Sequence, residues 1–275
     1  MDIKDVLKDK LSEPELRAVR RGFDIVGDIA IIEVPDELSE KEDIVADAIK
    51  KVCKNVRTVL RKMGERKGKY RLREFKILSG DGTETTHREY GYELRLDVTK
   101  VYFSPREAEE RQRIAKMVKS NESVLVMFAG IGPYAIAIAK KQPNIKKVYA
   151  IEINPYAYRY MVENIRINKL SDKIVPILGD VSVICKDYVN KFDRIVMPLP
   201  KGAYKFIDIA LKCAKRQGFI HFYHWAHESD LFGEALEIIK EAAEKLALDV
   251  KIIGKRKVLP YASRVWKICI DFMVQ

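Results

Sequence analysis

The sequence is poor in the features that organise secreted, metal-stapled or membrane-spanning chains. Only four cysteines occur in 275 residues (Cys53, Cys185, Cys213 and Cys269), and no two of them form a CxxC pair. A disulfide framework or a zinc knuckle is therefore excluded as the basis of the fold, and a reducing, cytoplasmic home is expected. No apolar run approaches the roughly 20 residues that cross a bilayer, and the N-terminal MDIKDVLKDKLSEPELRAVRR is charged throughout. There is no internal repeat and no low-complexity segment. With 47% hydrophobic residues the chain has enough apolar material for one large domain or two smaller ones.

Charge is abundant, and its distribution is uneven. The whole chain carries a net +11. Residues 1–49 hold 7 basic and 14 acidic side chains, whereas residues 50–76 hold 12 basic and only 2 acidic ones. Such a cluster suits a phosphate-rich partner, because each neutralised phosphate releases counterions. A solvated basic face would have the same composition.

Two rhythms divide the chain. Residues 23–34 read as strands about a Gly27-Asp28 turn, residues 39–54 as a helix with Ser39 as its cap, and further strands are expected near 56–60, 70–79 and 92–102. Ser104-Pro105 opens a charged helix over 105–119, with proline where its missing N–H does no harm. Beyond it, the apolar runs 123–128, 147–152, 173–178, 192–197 and 218–223 alternate with helix-length segments, as buried parallel strands do. The stretches 249–258 and 264–274, joined by Leu259-Pro260-Tyr261-Ala262, read as a closing hairpin. The expected architecture is a small α+β domain over 1–104, followed by a doubly wound, mostly parallel α/β domain over 105–275 that ends in an antiparallel hairpin.

The motif Phe128-Ala129-Gly130-Ile131-Gly132-Pro133-Tyr134 follows a strand and precedes a helix, so its glycines can bring backbone close to a nucleoside-bearing ligand. Glu152 ends the next strand, where a carboxylate can accept hydrogen bonds from ribose hydroxyls. NAD and S-adenosylmethionine both need these groups. Gly179-Asp180 after the third strand and the C-terminal hairpin favour S-adenosylmethionine. Met197-Pro198-Leu199-Pro200 adds a rigid loop at the carboxyl edge of the sheet, where ligands of open α/β sheets bind. In HFYHWAH, His221, His224 and His227 are spaced like a metal cluster, but no carboxylate follows until Glu228, and no metal is expected.

On FDIVGDIAIIEVP, YRLREFKIL, TETTHREYG, LDVTKVYFSPR, MFAGIGPYAIAIAK, EINPYAYRYMVENIRINKL, LGDV and LPYASRVWKICIDF, the chain resembles the archaeal and eukaryotic tRNA (guanine 37, N1) methyltransferases. It is similar also to their relative that transfers an aminocarboxypropyl group in wybutosine synthesis. The resemblance runs from about Phe23 to Phe272. It implies a small RNA-binding domain before a methyltransferase domain, S-adenosylmethionine as cofactor, and the anticodon loop of tRNA as partner, met by a monomer. Glu110 is then the base that takes the N1 proton, and Arg71 the cation facing O6. Arg111, Phe128, Gly130, Gly132, Glu152 and Asp180 are the implied cofactor residues. Tyr102, Pro200, Tyr223, His224, Lys62 and Arg73 are the implied contacts of the base and its RNA.

Two departures stand out. Val126 replaces the usual acidic residue before Met-Phe-Ala-Gly, and Pro198 replaces the Asn of Asn-Leu-Pro. Pro198 is placed with the catalytic residues, where it would accommodate a bulkier base such as the tricyclic wyosine precursor 4-demethylwyosine. The aminocarboxypropyl relative carries a Gly-Tyr motif at that point, absent here, and stands as the alternative. Only about 22 residues precede Phe23, so the elbow-reading domain of many family members is expected to be missing.

Overall fold

The computed structural model describes residues 2–275, which divide into two compact units, one ending at Pro105 and one starting at Arg106. Among the described residues, no helix is long and apolar enough to cross a membrane.

The first unit starts with two short helices, α1 (Ile3–Leu7) and α2 (Glu13–Ala18). Strands β1 (Asp24–Val26) and β2 (Ile29–Ile32) then form the expected hairpin. Helix α3 (Glu42–Val52) crosses over to β3 (Thr58–Lys67), which runs parallel to β2, and β4 (Leu72–Ser79) closes a sheet of order β1-β2-β3-β4. The helical spacing of Val45, Ala48 and Ile49 buries them with Ile3, Leu7, Ile32 and Val59, each large side chain contributing about 1.5–3 kcal/mol. Ser39 does not cap α3. It sits in a 3₁₀ turn, Asp36–Lys41, where its Oγ donates to the Asp36 carbonyl at 2.8 Å, and that local bond takes the hydroxyl a cap would need.

A separate ribbon, β5 (Glu84–Glu89) with β6 (Tyr92–Asp97), carries TETTHREYG. The motif has a structural use. Thr85 Oγ1 accepts from the Asp28 N–H at 3.1 Å and donates to Asp28 Oδ1 at 2.7 Å, while the Gly27 N–H donates to His87 Nδ1 at 3.2 Å. Gly27 has φ +56°, and a Cβ there would lie 2.0 Å from Thr85 Oγ1, so only glycine fits this turn.

In the second unit, α4 (Ala108–Met117) follows a 3₁₀ turn at Pro105–Glu107. Strands β7 (Ser123–Val126), β8 (Lys147–Glu152), β9 (Ile174–Leu178), β10 (Phe192–Met197) and β11 (Ala214–His227) run parallel. They alternate with α5 (Pro133–Lys141), α6 (Pro155–Ile167), the single turn α7 (Val181–Ile184) and α8 (Ile207–Cys213). After α9 (Gly233–Lys245) come β12 (Val250–Ala262) and β13 (Val265–Val274), giving the order β12-β13-β11-β10-β7-β8-β9 with β13 antiparallel to both neighbours.

The hairpin turn falls at residues 263–264, with Arg264 at φ +58°, not at the expected Leu259–Ala262. Those four residues lie inside β12. This is an edge strand, where the missing N–H of Pro260 removes no essential ladder bond and a register shift absorbs the misfit. Strand order reverses between β7 and β10, so the crevice for a ligand opens where the Phe128–Gly132 loop leaves β7.

Candidate active site

The loop after β7 has an unusual backbone. Phe128 (φ +58°), Gly130 (φ +58°) and Gly132 (φ +87°) are all left-handed. Phe128 is the only one of the three that carries a side chain, and a left-handed non-glycine residue persists only where its surroundings enforce it. Its ring packs edge-on to Phe206 with centroids 5.1 Å apart. Gly132 immediately precedes α5, and a Cβ on it would meet Met161 Cγ at 3.0 Å.

Glu152, at the carboxyl end of β8, accepts from the Gly130 N–H at 2.6 Å and the Asn154 N–H at 2.8 Å. Burial raises its carboxyl above the ordinary value, against the pull of these backbone donors. Asp180 Oδ1 caps α7 through the Ser182 N–H at 2.9 Å and Oγ at 2.7 Å. Glu152, the glycine loop and Asp180 thus stand at the ends of three consecutive parallel strands, a donor and acceptor set that suits a ribose and an adenine amino group. Val126 is fully buried among the strands, level with Val196 and Ala150. A carboxylate there would stand in the sheet interior.

Glu110 belongs to a second constellation. It is 3% exposed and held from several sides. Arg113, one helical turn on, donates Nε to Oε2 at 2.9 Å and Nη2 to Oε1 at 2.7 Å. The Tyr223 hydroxyl donates to Oε1 at 2.6 Å, and Arg256 Nε on β12 lies 3.2 Å from Oε2. Behind Arg113, Asp271 accepts from its Nη1 at 2.5 Å and pairs with His221 Nδ1 at 2.6 Å, while His221 Nε2 faces Arg194 at 2.8 Å. Burial favours neutral Arg113, but Glu110 and Asp271 outweigh it and hold the guanidinium charged. Burial likewise works against the Asp271 carboxylate, yet His221 and Arg113 hold it well below the usual range. Burial depresses His221 in spite of Asp271, with Arg194 and Arg113 acting in the same sense as burial.

His221, Cys269 and Asp271 are the one group among the described residues with potential metal-ligand atoms within 4.8 Å of one another. His221 and Asp271 are already bonded there to each other and to guanidinium groups, an ion-pair network by its chemistry.

Strand geometry separates residues that stand side by side in the sequence. On β11, Tyr223 faces α4 and Glu110, whereas His224 faces the opposite side, beside Phe222, Tyr204 and Glu234. Adjacent strand residues alternate faces, so Tyr223 and His224 do not line one pocket and the three histidines do not converge. His224 is level with the loop after β10, where Leu199 N–H turns back to the Met197 carbonyl at 2.9 Å, Pro198 is partly exposed and Pro200 is buried. Arg111 is buried next to Glu110 in α4, near enough to Tyr134 to act on its hydroxyl.

In the first unit, Arg71 also has a left-handed backbone, φ +56°, in the β3–β4 turn, its N–H bonded to the Gly68 carbonyl at 3.1 Å. Its guanidinium stands 5.6 Å from the Tyr102 ring centroid, and that of Arg66 stands 4.1 Å from it. Lys62, expected to meet RNA, is instead engaged within the fold, 3.2 Å from Glu33 and 3.8 Å from Asp24. Arg73 acts on the same Glu33.

Sequence reasoning missed Arg113, Tyr134, Arg256 and Asp271. The i, i+3 spacing of Glu110 and Arg113 on a helix was a visible signal. The other three come from distant segments that only the sheet brings together.

The comparisons agree with this geometry. The TRM5/TYW2 methyltransferase domain matches residues 85–253 and the TYW2 N-terminal domain matches residues 3–83. The tRNA (guanine(37)-N(1))-methyltransferase Trm5b of Pyrococcus abyssi is 46% identical over 259 residues, 94% of this chain and 76% of that protein. The tRNA(Phe) (4-demethylwyosine(37)-C(7)) aminocarboxypropyltransferase of Methanocaldococcus jannaschii is 38% identical over 248 residues, 90% of this chain and 95% of that protein. Among solved structures, aTrm5 in complex with tRNALeu superposes with TM-score 0.87 at 37% identity, covering all of this chain and 78% of that one. TYW2 of P. horikoshii in complex with MeSAdo superposes with TM-score 0.82 at 33% identity, covering 99% of this chain and 97% of that one. With both units matched and the left-handed glycine loop, the acidic strand end and the antiparallel closing hairpin all in place, the chain belongs to the TRM5/TYW2 family of methyltransferases.

Proposed function

We propose that the chain is a tRNA methyltransferase that uses S-adenosylmethionine to methylate N1 of guanosine 37, and that it also methylates the tricyclic precursor 4-demethylwyosine. The observation that carries this reading is an anchored, buried carboxylate, Glu110, in the same unit as a left-handed glycine loop and the Glu152 acceptor. Bound S-adenosylmethionine supplies an electrophilic methyl group. Glu152 accepts from the ribose hydroxyls, the Gly130–Gly132 backbone allows close approach, Asp180 meets the adenine amino group, and Phe128 and Arg111 complete the pocket. Glu110 takes the proton from N1 as its lone pair attacks, a transfer worth about 10²–10⁴ in rate. Arg71 faces the charge that develops on O6.

Tyr102, Pro200, His224 and Arg73 contact the base or its RNA, and Pro198 leaves room for a bulky ring. Tyr223 serves the base indirectly, through its bond to Glu110. Lys62 reaches RNA only by giving up Glu33. The working state is a monomer, which sedimentation with and without tRNA checks.

One observation favours a second reading. The segment over 3–83 matches the N-terminal domain described for TYW2, which is consistent with aminocarboxypropyl transfer. One assay separates the two: incubation with labelled S-adenosylmethionine and either unmodified or precursor-bearing tRNA, with the modified nucleoside identified by mass. A single added methyl is the expected product. A three-carbon amino acid group replaces the first reading by the second, and no transfer to any tRNA removes both.

A further inference from the structure

Glu110 cannot accept a proton while every lone pair is occupied, so one partner has to yield. Arg113 and Tyr223 are poor candidates. The Arg113 side chain is 18% exposed and tied to Asp271 as well, and Tyr223 is fully buried. Arg256 differs, because its side chain is 49% exposed, it reaches in from an edge strand, and it touches Oε2 alone. It can return to water more readily than the others, since half of its side chain is already solvated and the Glu110 carboxylate keeps Arg113 and Tyr223. The solvent side of Glu110 is therefore the side on which Arg256 stands.

We propose that Arg256 is a positioning residue for the base, holding Glu110 Oε2 from the solvent side and surrendering that oxygen to the N1–H of the incoming purine. The inference rests on the role of Glu110 proposed above. In the exchange, the N1 proton passes to Oε2, and the guanidinium stays charged and turns to water or to an RNA phosphate.

Other charged and titratable groups share the site. Glu107 and Arg113 come from the helix side, Tyr134 from α5 and Tyr223 from β11. Cys269 and Asp271 come from β13. Lys267, also on β13, lies 2.7 Å from Glu107. All of these but the partly exposed Arg113 are buried, and all remain in an Arg256 variant, so a change in the pH profile on substitution reports the lost cation.

The test is the single-turnover methyl-transfer rate at saturating tRNA, measured from pH 4.5 to 8 for the wild type, Arg256→Gln, Arg256→Lys and Glu110→Gln. Arg256→Gln is expected to move the acid limb toward neutrality by about half to one pH unit, a threefold to tenfold lower rate on that limb. Arg256→Lys is expected to restore most of the wild-type profile. Coincident profiles for wild type and Arg256→Gln, with only KM for tRNA raised, would make Arg256 a plain RNA contact and overturn the inference. Loss of activity in Glu110→Gln beside such coincident profiles leaves the function standing and removes Arg256. Wild-type activity in Glu110→Gln removes the base itself.

Discussion

The two units handle charge at different depths. In the first, an acidic stretch and a basic stretch adjacent in sequence fold against each other. Arg57 pairs with Asp28, Arg61 and Lys76 with Glu42, and Lys62 with Asp24 and Glu33. Four other cations of the 50–76 cluster lie at the exposed β3–β4 hairpin, where Lys67 and Lys69 are exposed and Arg66 and Arg71 gather at Tyr102. In the second, the net charge is thinly spread in sequence, yet Glu110, Arg113, Asp271, His221 and Arg194 assemble a buried network from α4, β10, β11 and β13. Charge contrast along a sequence thus locates surface electrostatics, while chemistry that depends on low dielectric is assembled from scattered residues.

The sharpest way to break this contrast is at Glu110. Glu110→Gln should lower turnover by at least a hundredfold with tRNA affinity unchanged, checked by single-turnover kinetics beside filter binding. Wild-type turnover would return the network to a purely structural role.

In the first unit, reversing the exposed Lys67 and Lys69 to Glu should weaken tRNA binding and make it less sensitive to salt. The slope of log affinity against log salt should fall by up to about one for each phosphate no longer neutralised. The same reversal at Lys62, set between Glu33 and Asp24, should chiefly lower the melting temperature. Equal salt slopes for the two variants would erase the distinction between partly buried and exposed cations.

A smaller effect is expected from Gly132→Ala, with a left-handed backbone and a Cβ 3.0 Å from Met161. A loss of about 1–2 kcal/mol in denaturant unfolding, with weaker S-adenosylmethionine binding by calorimetry, is the outcome to look for.

The smallest concerns pH. Burial depresses His221 in the fold, so below about pH 6.5 the unfolded chain takes up a proton that the folded chain resists, and stability falls as pH falls, by at most about 1.4 kcal/mol per unit. His221→Asn should flatten the melting temperature between pH 7 and 5. An undiminished slope in that variant would assign the loss to other groups.

Much of this was legible in the residues. Buried parallel strands announced themselves as short apolar runs, and 147–152 and 192–197 coincide with β8 and β10. Local competition misled the reading at Ser39, whose hydroxyl bonds Asp36, and at Leu259–Ala262, where an edge strand tolerates a proline that reads as a turn. TETTHREYG was recognisable as a family motif, but its work, pinning the Gly27-Asp28 turn, is visible only in the fold. Tyr223 and His224, neighbours in sequence, proved to serve opposite faces.

By itself the sequence determined the family, the two-part organisation, the glycine loop after a strand and the place of Glu152 at a strand end, because these depend on local patterns of glycine, apolar runs and strand ends. Only the tertiary structure decided which cations face solvent and which partners surround Glu110. Those outcomes depend on strand order and on which face of β11, β12 and β13 a side chain occupies, and residues 110, 223, 256 and 271 share no local pattern that could have joined them.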